Sequence, residues 1–119
     1  MDTEKRDSEQ FNPDDLDSLF VGFIQRKANS VEERLKRQLR GVIRIKVRDK
    51  DKIFIFDGSQ STFEVTAGDR ATVDAEIEIS TREIESIINK RLNVQIAMLS
   101  GRIKVSGNVG LTIYFFNLF

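Results

Sequence analysis

The hydrophobic period changes along the chain, and each change marks an element. The apolar positions Leu16, Leu19, Phe20, Phe23 and Ile24 recur at i, i+3, i+4, i+7 and i+8, which is one face of a helix. Asn12-Pro13-Asp14-Asp15 ahead of them reads as a helix start, with Asn12 as N-cap, Pro13 in the first turn and acids on the positive end of the dipole. Ser30 and Glu33 have capping-box spacing and open a second helix with a narrower stripe, Val31, Leu35 and Leu39, closed by Gly41. The spacing predicts two consecutive helices, or one bent near Asn29-Ser30.

From Gly41 the period becomes two. Ile43, Ile45 and Val47 alternate with Arg44, Lys46 and Arg48, a half-buried strand. Asp49-Lys50-Asp51 turns the chain into a strand over 52–56. Asp57-Gly58 is a hairpin signal leading to a strand over 62–66, with Phe63 and Val65 inward. After a turn at Gly68-Asp69, Val73, Ala75, Ile77 and Ile79 alternate with Asp74, Glu76 and Glu78. Ser80 and Glu83 form another capping box, opening a helix that carries Ile84, Ile87 and Ile88 on one face. Asn93 caps a short helix through Leu99, Ile103 and Val105 mark a fifth strand, and Gly107-Asn108 opens a final apolar helix to Phe119. The order predicts an α+β domain: a five-stranded, mostly antiparallel sheet covered on one face by helices, with an extra N-terminal helix.

Composition narrows the chemistry. The chain has 119 residues, enough for one domain with a real core, and it contains no Cys, His or Trp. Disulfides and thiolate metal sites are excluded, and the commonest general base, nucleophile and zinc ligands are gone. Neither a cofactor nor catalysis by this chain alone is expected. Residues 1–10 show no apolar signal region, and the longest nearly apolar run, 109–116, is far short of the ~20 residues that cross a bilayer. Asn117-Leu118-Phe119 is not a peroxisomal address. A cytoplasmic protein is the expectation.

Net charge is zero but unevenly placed. Residues 1–20 hold seven acids against two bases, whereas residues 26–52 hold eleven bases against four acids. No aromatic platform or nucleic-acid-reading motif accompanies the basic block, so nucleic acid is not an expected partner.

The tail Ala97-Met98-Leu99-Ser100-Gly101-Arg102-Ile103-Lys104-Val105-Ser106-Gly107-Asn108-Val109-Gly110-Leu111 resembles the closing signature of the sterol carrier protein type 2 domain family. The hairpin signal at Asp57-Gly58, the alternating strand over 73–79 and its following helix stand where that family has them. The resemblance runs from Val31 to Phe119. It implies two parts: a tail and amphipathic helical extension over 1–29, and a lipid-binding domain over 30–119. The tryptophan common on the family's second strand is replaced by Phe54 and Phe56, and the glycine usual after the fourth-strand helix by Asn89 or Lys90. Family topology pairs the first strand with the fourth and the fourth with the fifth. Arg44/Lys46/Arg48, Asp74/Glu76/Glu78 and Arg102/Lys104 would then form a positive, negative, positive ladder, which a sheet favours.

The last helix is apolar almost all round, which suits a core helix, the wall of a lipid cavity or a face buried on a second subunit. The resemblance implies the cavity, lined by Ile84, Ile87, Ile88, Ile96, Leu99, Val109, Leu111, Tyr114, Phe115 and Leu118. The expected function is non-catalytic binding or transfer of an apolar lipid-like ligand (fatty acyl, isoprenoid or sterol-like). The alternative is an accessory protein presenting a hydrophobic surface to itself, as a homodimer, or to an enzyme of lipophilic substrates. The apolar second strand, with Phe54 and Phe56 on one face and Ile53 and Ile55 on the other, would suit such a partner. Acids on the first helix argue against adsorption to anionic lipid there, so membrane contact is expected to be transient at most.

Overall fold

The structure, a computed structural model, describes residues 11–119. The reading of residues 1–10 as a tail without a signal region lies outside the described residues. Five strands form one sheet: β1 (Val42–Val47), β2 (Lys52–Asp57), β3 (Glu64–Ala67), β4 (Ala75–Ile79) and β5 (Lys104–Gly107), in the order β3-β2-β1-β4-β5. Three of the four pairings are antiparallel; β1 and β4, at the centre, run parallel. Strict alternation in β1 and β4 buries Ile43, Ile45, Val47, Ala75, Ile77 and Ile79 on the helix-covered face.

The expected charge ladder forms in part. Arg44 stands in register with Glu76 and Lys46 with Glu78. The Arg44 guanidinium bonds Glu76 at 2.8 Å and Asp69 at 2.6 Å, while Lys46 lies 4.0 Å from Glu76. Asp74 leaves the ladder because its carboxylate accepts the Val42 N–H at 2.8 Å. Arg48 leaves it too, pairing with the buried Glu83 at 3.3 Å.

The helices depart locally from the spacing. Asn12 does not open a helix directly; it makes a tight turn, accepting the Asp14 N–H at 2.9 Å. The working cap is Asp15, which accepts both the N–H and the hydroxyl of Ser18. Helix α1 then runs with i→i+5 winding over Ser18–Ile24 and regular α winding over Gln25–Ser30. The looser winding brings residues four apart closer to one line. Leu16, Phe20, Ile24 and Ala28 are therefore buried, while Leu19 and Phe23, expected on the same stripe, turn to its edge. The Ser30–Glu33 capping box is absent: the Ser30 hydroxyl donates back to the Lys27 carbonyl, and α2 (Glu33–Gln38) starts from Glu32 without a side-chain cap.

Three polar bonds fix α1 across the edge of the sheet. The Asn29 amide donates to the Phe63 carbonyl and accepts the Phe63 N–H, both at 2.8 Å, and Gln25 accepts the Val65 N–H at 2.8 Å. These side chains cover the β3 edge that would otherwise be open to pairing.

Asp57-Gly58 does not make a two-residue hairpin; β2 and β3 are joined by a longer loop. Gly58 is required for a different reason. A Cβ there would lie 2.1 Å from the Leu39 carbonyl oxygen, because the Gly58 N–H reaches the Gly41 carbonyl at 2.7 Å. After β4, the Ser80–Glu83 capping box forms as expected and opens α3 (Thr81–Ile88). Asn93 caps α4 (Val94–Leu99) and Asn108 caps α5 (Val109–Phe116).

Phenylalanines fill the layer between sheet and helices. Contacting rings run from Phe54 to Phe20 (centroids 4.7 Å apart), Phe119 (6.3 Å), Phe115 (5.7 Å), Phe56 (5.2 Å) and Phe63 (5.7 Å). Phe54 and Phe56 thus face the helices. Ile55, on the opposite face, is buried as well, and Ile53 is half-buried, so β2 does not present a broad apolar outer face.

Candidate functional site

The residues that α1 turns out of the core border the larger concavity described, a groove of about 460 Å³. That volume lies within the ~300–1,000 Å³ of small-molecule sites. Its apolar wall is Phe11, Leu19, Phe23, Ile88 and Phe119. Its polar lining is Asn12, Asp15 and Ser18 from the start of α1, Arg26 and Lys27 from further along α1, and Lys90 from beyond Ile88. Phe119 belongs both to this wall and to the file of rings in the core, so the groove is backed by the packed interior.

Local geometry sets the rim. Asp15 is held below the ordinary carboxylate value by the hydrogen bonds it accepts from the Ser18 hydroxyl and N–H, so it stays ionised. The Lys27 ammonium sits 5.6 Å from the centre of the Phe23 ring. Lys90 follows α3 with φ +60°, the left-handed conformation that glycine adopts most easily. Its N–H bonds the Ile87 carbonyl and the Arg91 N–H bonds the Ser86 carbonyl, closing the helix. Lys90 is one of the two positions, with Asn89, at which the family resemblance expects glycine. The lysine side chain has its own partner: its ammonium donates to the Phe119 carbonyl at 2.8 Å and ties the groove floor to α3.

The ten expected cavity residues fall in three places. Ile84, Ile87, Leu111, Phe115 and Leu118 are buried in the core between sheet and helices. Ile88 alone of the ten lines the groove. Ile96, Leu99, Val109 and Tyr114 are exposed. A smaller concavity of about 280 Å³ lies between α4 and α5, bordered by Val94, Ile113 and Phe116. The groove residues Phe11, Leu19, Phe23, Lys27 and Phe119 were missed. The i, i+3, i+4 pattern assigns Leu19 and Phe23 to the core, and only the altered winding of α1 separates them from it. Among the described residues no group of His, Cys, Asp and Glu is placed to hold a metal ion, and no helix is long and apolar enough to cross a membrane.

A five-stranded sheet with a parallel centre, helices over one face and an apolar groove at the first helix defines a small α+β domain of ligand-binding type. Residues 21–119 match the SCP-2 sterol transfer family, and the chain belongs to that family. It is 23% identical over 99 residues to sterol carrier protein 2 of Gallus gallus, covering 80% of this chain and 18% of that protein. The chain thus spans less than a fifth of the length of the curated relatives it matches. Among solved structures it is similar to the sterol carrier protein domain 2 of Helicoverpa armigera, with TM-score 0.72, 25% identity, and 91% and 89% of the two chains covered. It also shares its fold with palmitated SCP2L2 of Aedes aegypti, with TM-score 0.63, 24% identity, and 80% and 86% covered.

Proposed function

We propose that this chain binds, without catalysis, one apolar lipid-like ligand such as a fatty acyl chain, and that the groove at α1 is where the ligand enters. The observation that carries this reading is the pairing of an apolar wall with cations at its rim. A chain seated on Leu19, Phe23, Ile88 and Phe119 would have Arg26, Lys27 and Lys90 available to an anionic head. Family membership and the palmitated relative support the same class of ligand.

The groove is shallow beside a long acyl chain, so the ligand would extend inward along Phe119. Ile84, Ile87, Leu111, Phe115 and Leu118 would then serve as the deeper walls and Ile88 as the mouth. Apolar burial, at ~25 cal/mol per Å² before ordering costs, supplies the affinity and favours breadth over head-group specificity.

Native mass spectrometry of the purified protein, with titration of a fluorescent C16 fatty acyl probe, tests the reading. The expected result is one equivalent bound at micromolar concentration, and about a tenfold (~1.4 kcal/mol) loss of affinity in Phe23→Asp. No co-purifying lipid together with no probe binding at 50-fold excess would sink it.

A further inference from the structure

The two edges of the sheet are finished differently. At β3 the side chains of Gln25 and Asn29 take up backbone groups of Phe63 and Val65, so that edge is closed. β5 is the other edge, and among the described residues no side chain or loop bonds its outer side. The direction of its backbone groups follows from the ladder. The Arg48 N–H bonds the Ile79 carbonyl, so Ala75, Ile77 and Ile79 turn their backbone groups to β1, and Glu76 and Glu78 turn theirs to β5. Those two stand opposite Ser106 and Lys104, and the Asn108 N–H extends the ladder to the Asp74 carbonyl at 2.9 Å. Val105, between them, therefore points its N–H and C=O away from the sheet.

β5 lacks most of the devices that keep an edge single. It contains no proline, and its one charge, Lys104, is the register partner of Glu78 rather than a free guard. Val105 is half-buried, in register with the buried Ile77 on the covered face, while Lys104 and Ser106 lie on the helix-free face. The open stretch is short. It ends at Ile103, whose N–H is taken by the Ala97 carbonyl, and at Gly107, where φ is +82°.

We propose that β5 pairs antiparallel with β5 of a second copy of this chain, about a two-fold axis at Val105, joining the two sheets into one. The residue types select this register. An axis at Lys104 would set the two lysines against each other, and an axis at Ser106 would set Val105 against Gly107, which has no side chain to meet it. An axis at Val105 exchanges N–H···O=C bonds between the two valines in both directions, packs one valine beside the other and places Lys104 opposite Ser106, with no like charges opposed. That self-complementarity selects a copy of the chain over an unrelated strand. The contact is small, so the dimer is reversible and populated at high protein concentration. It is separate from the α1 groove and stands or falls independently of the ligand bound there.

Sedimentation equilibrium of the full chain, from about 10 µM to about 1 mM, should show a reversible monomer–dimer equilibrium. Val105→Pro removes only an outward N–H and should weaken dimerisation about tenfold while keeping the native circular dichroism. Ser106→Lys, opposed to Lys104 of the second copy, should weaken it about threefold, and Ser106→Glu should strengthen it by about the same factor. Glu76 stands beside Ser106 within the sheet and gives these two variants the opposite order in urea unfolding, so association and stability separate. The chain has no cysteine, which makes the register readable by cross-linking. Lys104→Cys mixed with Ser106→Cys under copper–phenanthroline should give the mixed disulfide, and neither variant alone should cross-link. A chain that stays monomeric at about 1 mM would overturn the proposal. So would a dimer indifferent to Val105→Pro and to both Ser106 variants, which would join through another surface. Cross-linking of Ser106→Cys or Lys104→Cys with itself in preference to the mixed pair would overturn the register.

Discussion

The groove beneath α1 and the tip of α4 use similar side chains, aliphatic or aromatic residues beside lysine and arginine, yet they differ in curvature and in what supports them. In the groove, Phe119 joins the wall to the ring file of the core, and an ionised Asp15 shares the lining with the cations. At the tip, Leu99 stands in solvent and no acid lies within the last 34 residues. Apolar content alone therefore does not define a site. A concave apolar wall with charged groups in its lining suits one small amphiphile, whereas side chains standing in solvent on a turn enclose nothing.

The contrast is broken most severely at its supports. Phe20→Ala removes the ring stacked on Phe54 and touching Phe119, and should cost ~3–5 kcal/mol in urea unfolding, whereas Leu99→Ser should stay within ~0.5 kcal/mol. Comparable losses in both would mean the tip packs into the fold. The next largest effect is on binding. Phe23→Asp should weaken C16 probe binding about tenfold and Leu99→Ser should leave it unchanged; equal losses would merge the two regions into one site.

Lys90→Gly sharpens the groove side. Relieving the left-handed lysine should raise stability by ~1 kcal/mol, while loss of the bond to the Phe119 carbonyl should weaken probe binding two- to threefold. Increased stability with unchanged binding would reduce the lysine to a helix terminator. The smallest effect concerns pH. With no histidine and Asp15 held low by Ser18, probe affinity should be flat between pH 5.5 and 8. Below that, Asp57, lowered by its bonds from Ser59 and then Arg70, and Asp69, lowered by Arg44, lose their contribution. Their folded values lie below the unfolded ones, so the stability they supply is complete above about pH 4 and disappears as pH falls through the folded values. Urea midpoints at pH 7 and pH 3, with and without Asp57→Asn, measure it.

Much of the fold was legible because it depends on alternation and local caps. Ile43/Ile45/Val47, the Ser80–Glu83 box and the Asn108 cap all act within a few residues and formed as the spacing implies. The groove was far less legible, because its wall draws on residues from 11 to 119 and on the winding of α1. A sequence pattern assumes regular α geometry, and under that assumption Phe23 belongs with Phe20. Gly58 teaches the same lesson on a smaller scale: its dipeptide signals a hairpin, but its role is a close approach to Leu39 and Gly41, which no local rule contains. Lys90 was legible only as a departure, at one of the two positions where the family resemblance expects glycine.

The parallel pairing of β1 with β4 also bears on how the chain reaches this structure. β1, β2 and β3 form a meander whose contacts close over short loops, but the centre of the sheet joins Ile43 to Ala75 and Ile45 to Ile77 across a long stretch of chain. Loop-closure entropy is paid there before the central pairing returns anything, so the meander should assemble first and the arrival of β4 should limit the folding rate. The ring contact between Phe20 and Phe119 bridges nearly the whole described chain and can form only afterwards. The groove would then be the last part of the molecule to take shape and the first to open, giving hydrogen-exchange protection lower around Phe119 than along β1.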